Sequence, residues 1–94
     1  MLTSPDAVAV GLYRVPWQVE RVSDAHARVC NDGREPADFV RIFFSDARTQ
    51  HCGSMLAGDA VEICLCDVDL DEVVVTVCWF RRDTGVEYAW RFVM

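Results

Sequence analysis

The sequence predicts an all-β fold, an antiparallel sandwich of about seven short strands. Apolar and polar residues alternate at a period of two along most of the chain, and no stretch keeps a helical period. Turn-forming clusters, Asn31-Asp32-Gly33, Ala57-Gly58-Asp59 and Arg82-Asp83-Thr84-Gly85, punctuate it at the intervals short strands require. The closing run Glu72 to Met94, EVVVTVCWFRRDTGVEYAWRFVM, reads as two long strands around a tight turn and holds Trp79 and Trp90.

That hairpin selects its own register, because a slip of one residue exchanges the faces of every side chain. A four-residue loop, Arg82 to Gly85, closed by Arg81 opposite Val86, sets Trp79 against Tyr88, Val77 against Trp90, Val75 against Phe92 and Val73 against Met94. All of these share one side. Phe80 with Glu87, Cys78 with Ala89, Thr76 with Arg91 and Val74 with Val93 take the other. A three-residue loop would scatter the aromatics over both faces, and Gly85 supplies the positive φ that the longer turn needs.

The remaining elements follow in order. Ala7 to Val15 suits a first strand, with Gly11 as a bulge, and Pro16 ends its ladder. Trp17 is expected to lid the core. Gln18 to Cys30 alternates weakly, with Ala25, Ala27 and Val29 facing one way and Asp24, His26, Arg28 and Cys30 the other. After the Asn31 turn, Ala37 to Ser45 sets Val40, Ile42 and Phe44 against Phe39, Arg41 and Phe43. A short edge strand is expected across Thr49 to Leu56. Ala60 to Cys66 then sets Val61, Ile63 and Leu65 against Glu62, Cys64 and Cys66. The acidic stretch Asp67 to Asp71 connects to the hairpin.

Ninety-four residues form a single domain, 1–94, and 52% hydrophobic content supplies a core rather than disorder. A net charge of −6 argues against a nucleic-acid surface, which needs clustered positive charge. No stretch approaches the ~20 apolar residues of a membrane span, so no membrane insertion is expected. Without a basic leader followed by an apolar run, the expected location is cytoplasmic, the alternative being an excised domain of an exported protein. Five cysteines, an odd number, are expected chiefly as small buried hydrophobes.

About seven strands at these intervals suggest the immunoglobulin-like type of sandwich. The runs VCNDGREPADFVRIFF, MLAGDAVEI and VVVTVCWF…TGVEYAWRF also resemble the bacterial immunoglobulin-like sandwiches of the cell-adhesion-related (CARDB-type) kind. In those a strand pair with Asn, Gly and Pro-Ala is followed by a Leu-to-Gly turn and a closing hairpin. The likeness spans about residues 22 to 94, with Ala57 standing where such turns often carry Pro. It implies a non-catalytic interaction or spacer module and transfers no site residue.

Candidate chemistry is sparse. An antibody-like bridge between Cys30 and Cys78 is disfavoured, since both fall on outward sides and Thr76 stands where the fold's tyrosine would be. The second and fifth strands should be neighbours, which would bring His26, Arg28 and Cys30 beside Glu62, Cys64 and Cys66. Imidazole and thiolates are ligands zinc favours, so His26, Cys64 and Cys66 are the nearest approach to a metal site, although Cys-x-Cys is not the usual zinc spacing and Arg28 adds positive charge. His51 and Cys52 are adjacent and should diverge. Asp67-x-Asp69-x-Asp71 lacks the Gly and Glu of a calcium loop and reads as a solvated turn. No nucleophile-elbow, zinc-protease, phosphate-loop or dinucleotide motif is present, so no enzyme activity and no cofactor are expected.

The strongest functional expectation is an interface with a protein partner or a second copy of the chain. The outward side of the hairpin carries Val74, Cys78, Phe80, Ala89 and Val93. A third strand paired beside it would add Phe43 and Phe39, with Arg41 and Arg91 as polar elements. Contiguous apolar surface of that kind marks binding sites more often than bare monomer surface, the other reading being that an N-terminal segment or a long loop covers it, as the second face of an antiparallel sheet often is. The alternative is a metal-binding sensor or accessory domain for zinc or calcium.

Overall fold

Period-two patterning becomes seven strands in a computed structural model that describes residues 14–66, 68, 69 and 71–94. They are β1 (Trp17–Ser23), β2 (His26–Asn31), β3 (Ala37–Phe44), β4 (Thr49–Met55), β5 (Ala60–Cys64), β6 (Val74–Arg81) and β7 (Glu87–Val93). There is no helix among the described residues. One sheet has the order β1-β2-β5 and the other β4-β3-β6-β7, every pairing antiparallel. The fold is thus an immunoglobulin-like antiparallel sandwich, with its fourth strand attached to the third. The strand expected over Ala7 to Val15 lies in the main outside the described residues.

The core forms where the inward rows of both sheets meet. Ala27 and Val29 of β2, Ile63 of β5, Val40 and Ile42 of β3 and Val75 and Val77 of β6 have no exposed surface. Trp79 joins them, with Trp17 edge-on at 5.4 Å and Tyr88 stacked at 5.8 Å. Trp17 therefore lids the core as expected. Each fully buried aliphatic side chain contributes about 1.5–3 kcal/mol relative to leaving it in water.

The C-terminal hairpin takes the register its side chains demand: Trp79 opposite Tyr88, Val77 opposite Trp90, Val75 opposite Phe92 and Val74 opposite Val93. The Arg81 amide donates to the Val86 carbonyl at 3.0 Å, and the Gly85 amide to the Arg81 carbonyl at 2.8 Å. Gly85 has φ 68°, a conformation open to glycine without steric cost. Arg81 also forms a two-pronged pair with Glu35, at 2.8 and 3.1 Å, tying the β2–β3 loop to the hairpin. That hydrogen-bonded guanidinium holds the Glu35 carboxyl below the usual carboxylate range.

The stretch Gln18 to Cys30 is not one weak strand but two. The chain reverses at Asp24-Ala25, where the Ser23 hydroxyl accepts the Ala25 amide at 3.3 Å in a side-chain-made turn. β1 is a sheet edge with mostly exposed residues, so its alternation is faint, and joining it to β2 blurs both.

Asn31 closes β2 and is fully buried. Its Nδ2 donates to the Met55 carbonyl at 2.9 Å and the Glu35 carbonyl at 3.1 Å, while its Oδ1 accepts the Gly33 amide at 3.0 Å. Met55 belongs to the other sheet, so one side chain joins both layers through satisfied hydrogen bonds. Its backbone also bonds Asp59 and Gly58 in the β4–β5 turn, at 2.8 Å each.

Candidate functional site

The outer face of the four-stranded sheet brings together every residue expected there. Phe43 lies opposite Thr76, and Thr76 opposite Arg91. Arg41 lies opposite Cys78 and Cys78 opposite Ala89, while Val74 and Val93 pair at the sheet end. Val93 is 71% exposed and Phe43 37%, whereas Val74, Cys78 and Phe80 are half-buried. His51 of β4 stands opposite Arg41 and extends this face, while Cys52 turns inward against the core.

A bulge in β3 sets the position of Phe39 on this face. Asp38 pairs with Phe80 and Arg41 with Cys78, so Phe39 and Val40 together oppose Trp79 alone. Two residues against one is a β-bulge, and its left-handed position usually carries glycine. Here it carries Phe39, with φ 51° and 56% exposure. Holding a non-glycine residue in that region costs about 1–2 kcal/mol. The ring stacks on Phe80 at 6.1 Å.

Arg41 fixes this arrangement. Its Nε donates to the Phe39 carbonyl at 2.9 Å, and its Nη2 donates to Glu87 Oε2 at 2.6 Å. Its guanidinium carbon lies 4.5 Å from the Phe39 ring centroid and 5.6 Å from that of Phe80. One cation thus clamps the bulge carbonyl, two aromatic rings and a carboxylate on β7. Beneath it, burial pushes the Cys78 thiol up, countered in part by Arg41 and reinforced by Glu87, so the group behaves as a small neutral hydrophobe. The aromatic pair and the Arg41 clamp depend on the bulge, which period-two patterning does not reveal.

The cysteine and histidine candidates separate. Cys30 and Cys78 are free and lie on the outer sides of different sheets, with the whole core between them. Cys64 and Cys66 form a disulfide across one residue and neither is buried, which departs from the expectation that the cysteines serve chiefly as small buried hydrophobes. His26 faces Cys64 directly across the β2–β5 ladder. Its ring nitrogen and the two sulfurs lie within 4.8 Å of one another, the one such metal-capable group among the described residues. Arg28 and Glu62 pair across the same strands as expected, and Arg28 forms an ion pair with Glu20 at 3.2 Å. Of the acidic connector, Asp67 lies outside the described residues, and the Asp69 carboxylate accepts the Asp71 amide at 3.0 Å.

Comparison with known proteins gives no match to a family model, a curated protein or a solved structure. The class that the fold defines is a two-sheet, all-β sandwich. Among the described residues no helix is long and apolar enough to cross a membrane.

Proposed function

We propose that this chain is a non-catalytic protein-interaction module that docks a protein partner, a second copy of itself first of all, through the outer face of the β4-β3-β6-β7 sheet. The observation that carries this reading is Phe39. A large aromatic is held outward in a strained conformation, stacked on Phe80 and clamped by Arg41. Strained backbone persists where the surroundings over-determine it, and such positions cluster at binding sites. Aromatic and arginine side chains also dominate interface energetics. Phe43, Val74 and Val93 extend the apolar surface to the other end of the sheet, with Arg91 beside them. The likeness to CARDB-type modules supports the same role.

Two substitutions test it. Phe80→Glu replaces one ring of the aromatic pair with a charge and is expected to weaken association by about thirtyfold or more, the effect of losing one hot spot. Far-UV circular dichroism should remain that of the folded chain, since the side chain is only half-buried. Phe39→Asn keeps a residue that tolerates the left-handed region, so stability should move by less than ~1 kcal/mol as relieved strain offsets lost stacking. Association should weaken here too. Sedimentation velocity across a concentration series reads both. A wild-type chain that is monomeric throughout, and retains no protein that Phe80→Glu fails to retain, would remove the proposal.

A further inference from the structure

The outer face of the three-stranded sheet carries a separate chemical feature, on the other side of the molecule from the Phe39 surface. β5 ends at Cys64, and Cys66 lies two residues on in the turn that follows, its Cα 5.5 Å from that of Cys64, so the bend brings the two sulfurs together. The β2–β5 ladder sets His26 across from Cys64, and it continues past the strand end through the Leu65 amide, which donates to the Ala25 carbonyl at 2.6 Å. That bond keeps Cys66 beside the same turn. The free edge of β5 is held from the other sheet as well: Gln50 donates to the Glu62 carbonyl at 3.2 Å and Arg48 to the Cys64 carbonyl at 3.3 Å. The three ligand-bearing residues therefore sit on backbone fixed from both sides.

We propose that His26, Cys64 and Cys66 form a redox-gated site for a thiophilic divalent cation, zinc in the first place, with water as the fourth ligand. Two thiolates and one imidazole match the donor set of open, three-ligand zinc sites. Bonds of about 2.0–2.3 Å to a tetrahedral ion place its ligands ~3.5–3.8 Å apart. The three donors already lie within 4.8 Å of one another, so side-chain rotation alone reaches that spacing. Ser23 Oγ lies 3.3 Å from His26 Nδ1, a contact that orients the ring. The nearby cations are already matched, Arg28 by Glu20 and Arg48 by Asp46. Two thiolates would neutralise the ion.

The gate is the bond between the two sulfurs. As a disulfide, Cys64 and Cys66 offer no thiolate. A dithiol reductant breaks that bond by giving it two electrons and two protons, and is itself oxidised to a disulfide. The two resulting thiols lose their protons to solvent as the metal–sulfur bonds form. Metal binding thus belongs to the reduced chain alone.

Cobalt(II) serves as the probe, because thiolate ligation gives it a charge-transfer absorption. The full chain reduced with a phosphine is expected to bind one equivalent, displaceable by zinc, and the oxidised chain none. Cys64→Ser, Cys66→Ser and His26→Ala should each weaken binding about tenfold or more, since each removes a ligand. Replacing Cys30, Cys52 and Cys78 together by Ser should leave it within about twofold, as none of them is a ligand. Should a variant fail to fold, alkylation of the reduced wild-type chain decides the matter: zinc should protect Cys64 and Cys66, read by peptide mass, and leave the alkylation rates of the other thiols unchanged. No thiolate–cobalt absorption from the reduced chain, equal binding by the oxidised chain, or protection mapping to other cysteines would each overturn the proposal.

Discussion

Asn31→Asp is expected to destabilise the fold by about 3–5 kcal/mol, as breaking a buried charged or polar network does. The substitution replaces an Nδ2 that donates to two carbonyls, those of Met55 and Glu35, with an oxygen that repels both. The new carboxylate would be fully buried, and among the described residues none of the hydrogen-bond partners of Asn31 is a cation. Either it ionises at a high desolvation cost or it takes a proton and still satisfies only one of the two carbonyls. Because Met55 lies on the other sheet, the loss falls on the joint between the layers. Urea titration reads the effect as a lower midpoint at an unchanged slope. A domain of this size has a stability of about 5–15 kcal/mol in all, so a substantial unfolded fraction is expected at 37 °C. A change below ~1 kcal/mol would show that Asn31 is not the joint described here.

Trp79→Ala should cost a similar amount, about 3–5 kcal/mol for a large buried aromatic. The indole is 1% exposed, with Trp17 against it edge-on and Tyr88 stacked on it. Deleting it leaves a cavity between the sheets that those two rings cannot both close. Trp90→Ala offers the internal comparison. Trp90 occupies the same inward row one strand away but is only half-buried, so its loss should cost distinctly less. Matched urea titrations of the two variants check this, and equal losses would contradict the unequal burial along that row.

The hairpin register was legible because its inward row is so large and apolar that only one loop length keeps it together. The same alternation made the Phe43, Val74, Cys78, Phe80 and Val93 face readable, and it placed Cys64 and Cys66 on a common side. What escaped the pattern has definite causes. Asn31-Asp32-Gly33 signals a turn, and that signal does not distinguish an exposed asparagine from one that serves as a buried strut. Phe39 occupies a position that usually announces itself by glycine, so the bulge left no mark in the sequence. The reversal at Asp24-Ala25 rests on one serine hydroxyl between two short strands. The match of Glu20 to Arg28, which removes a charge from beside His26, depends on that reversal.

Among the described residues, three strands facing four leave a mismatch in width. Strands lie about 4.8 Å apart, so the narrower sheet falls one strand short of covering the wider. Among the described residues the shortfall falls on β7, whose Tyr88, Trp90 and Phe92 stay half-wet while the facing row of β6 is sealed. The two arms of one hairpin therefore differ in how tightly they are locked. Local opening free energy follows buried apolar contact, so β7 should unzip from β6 well before the sandwich itself comes apart.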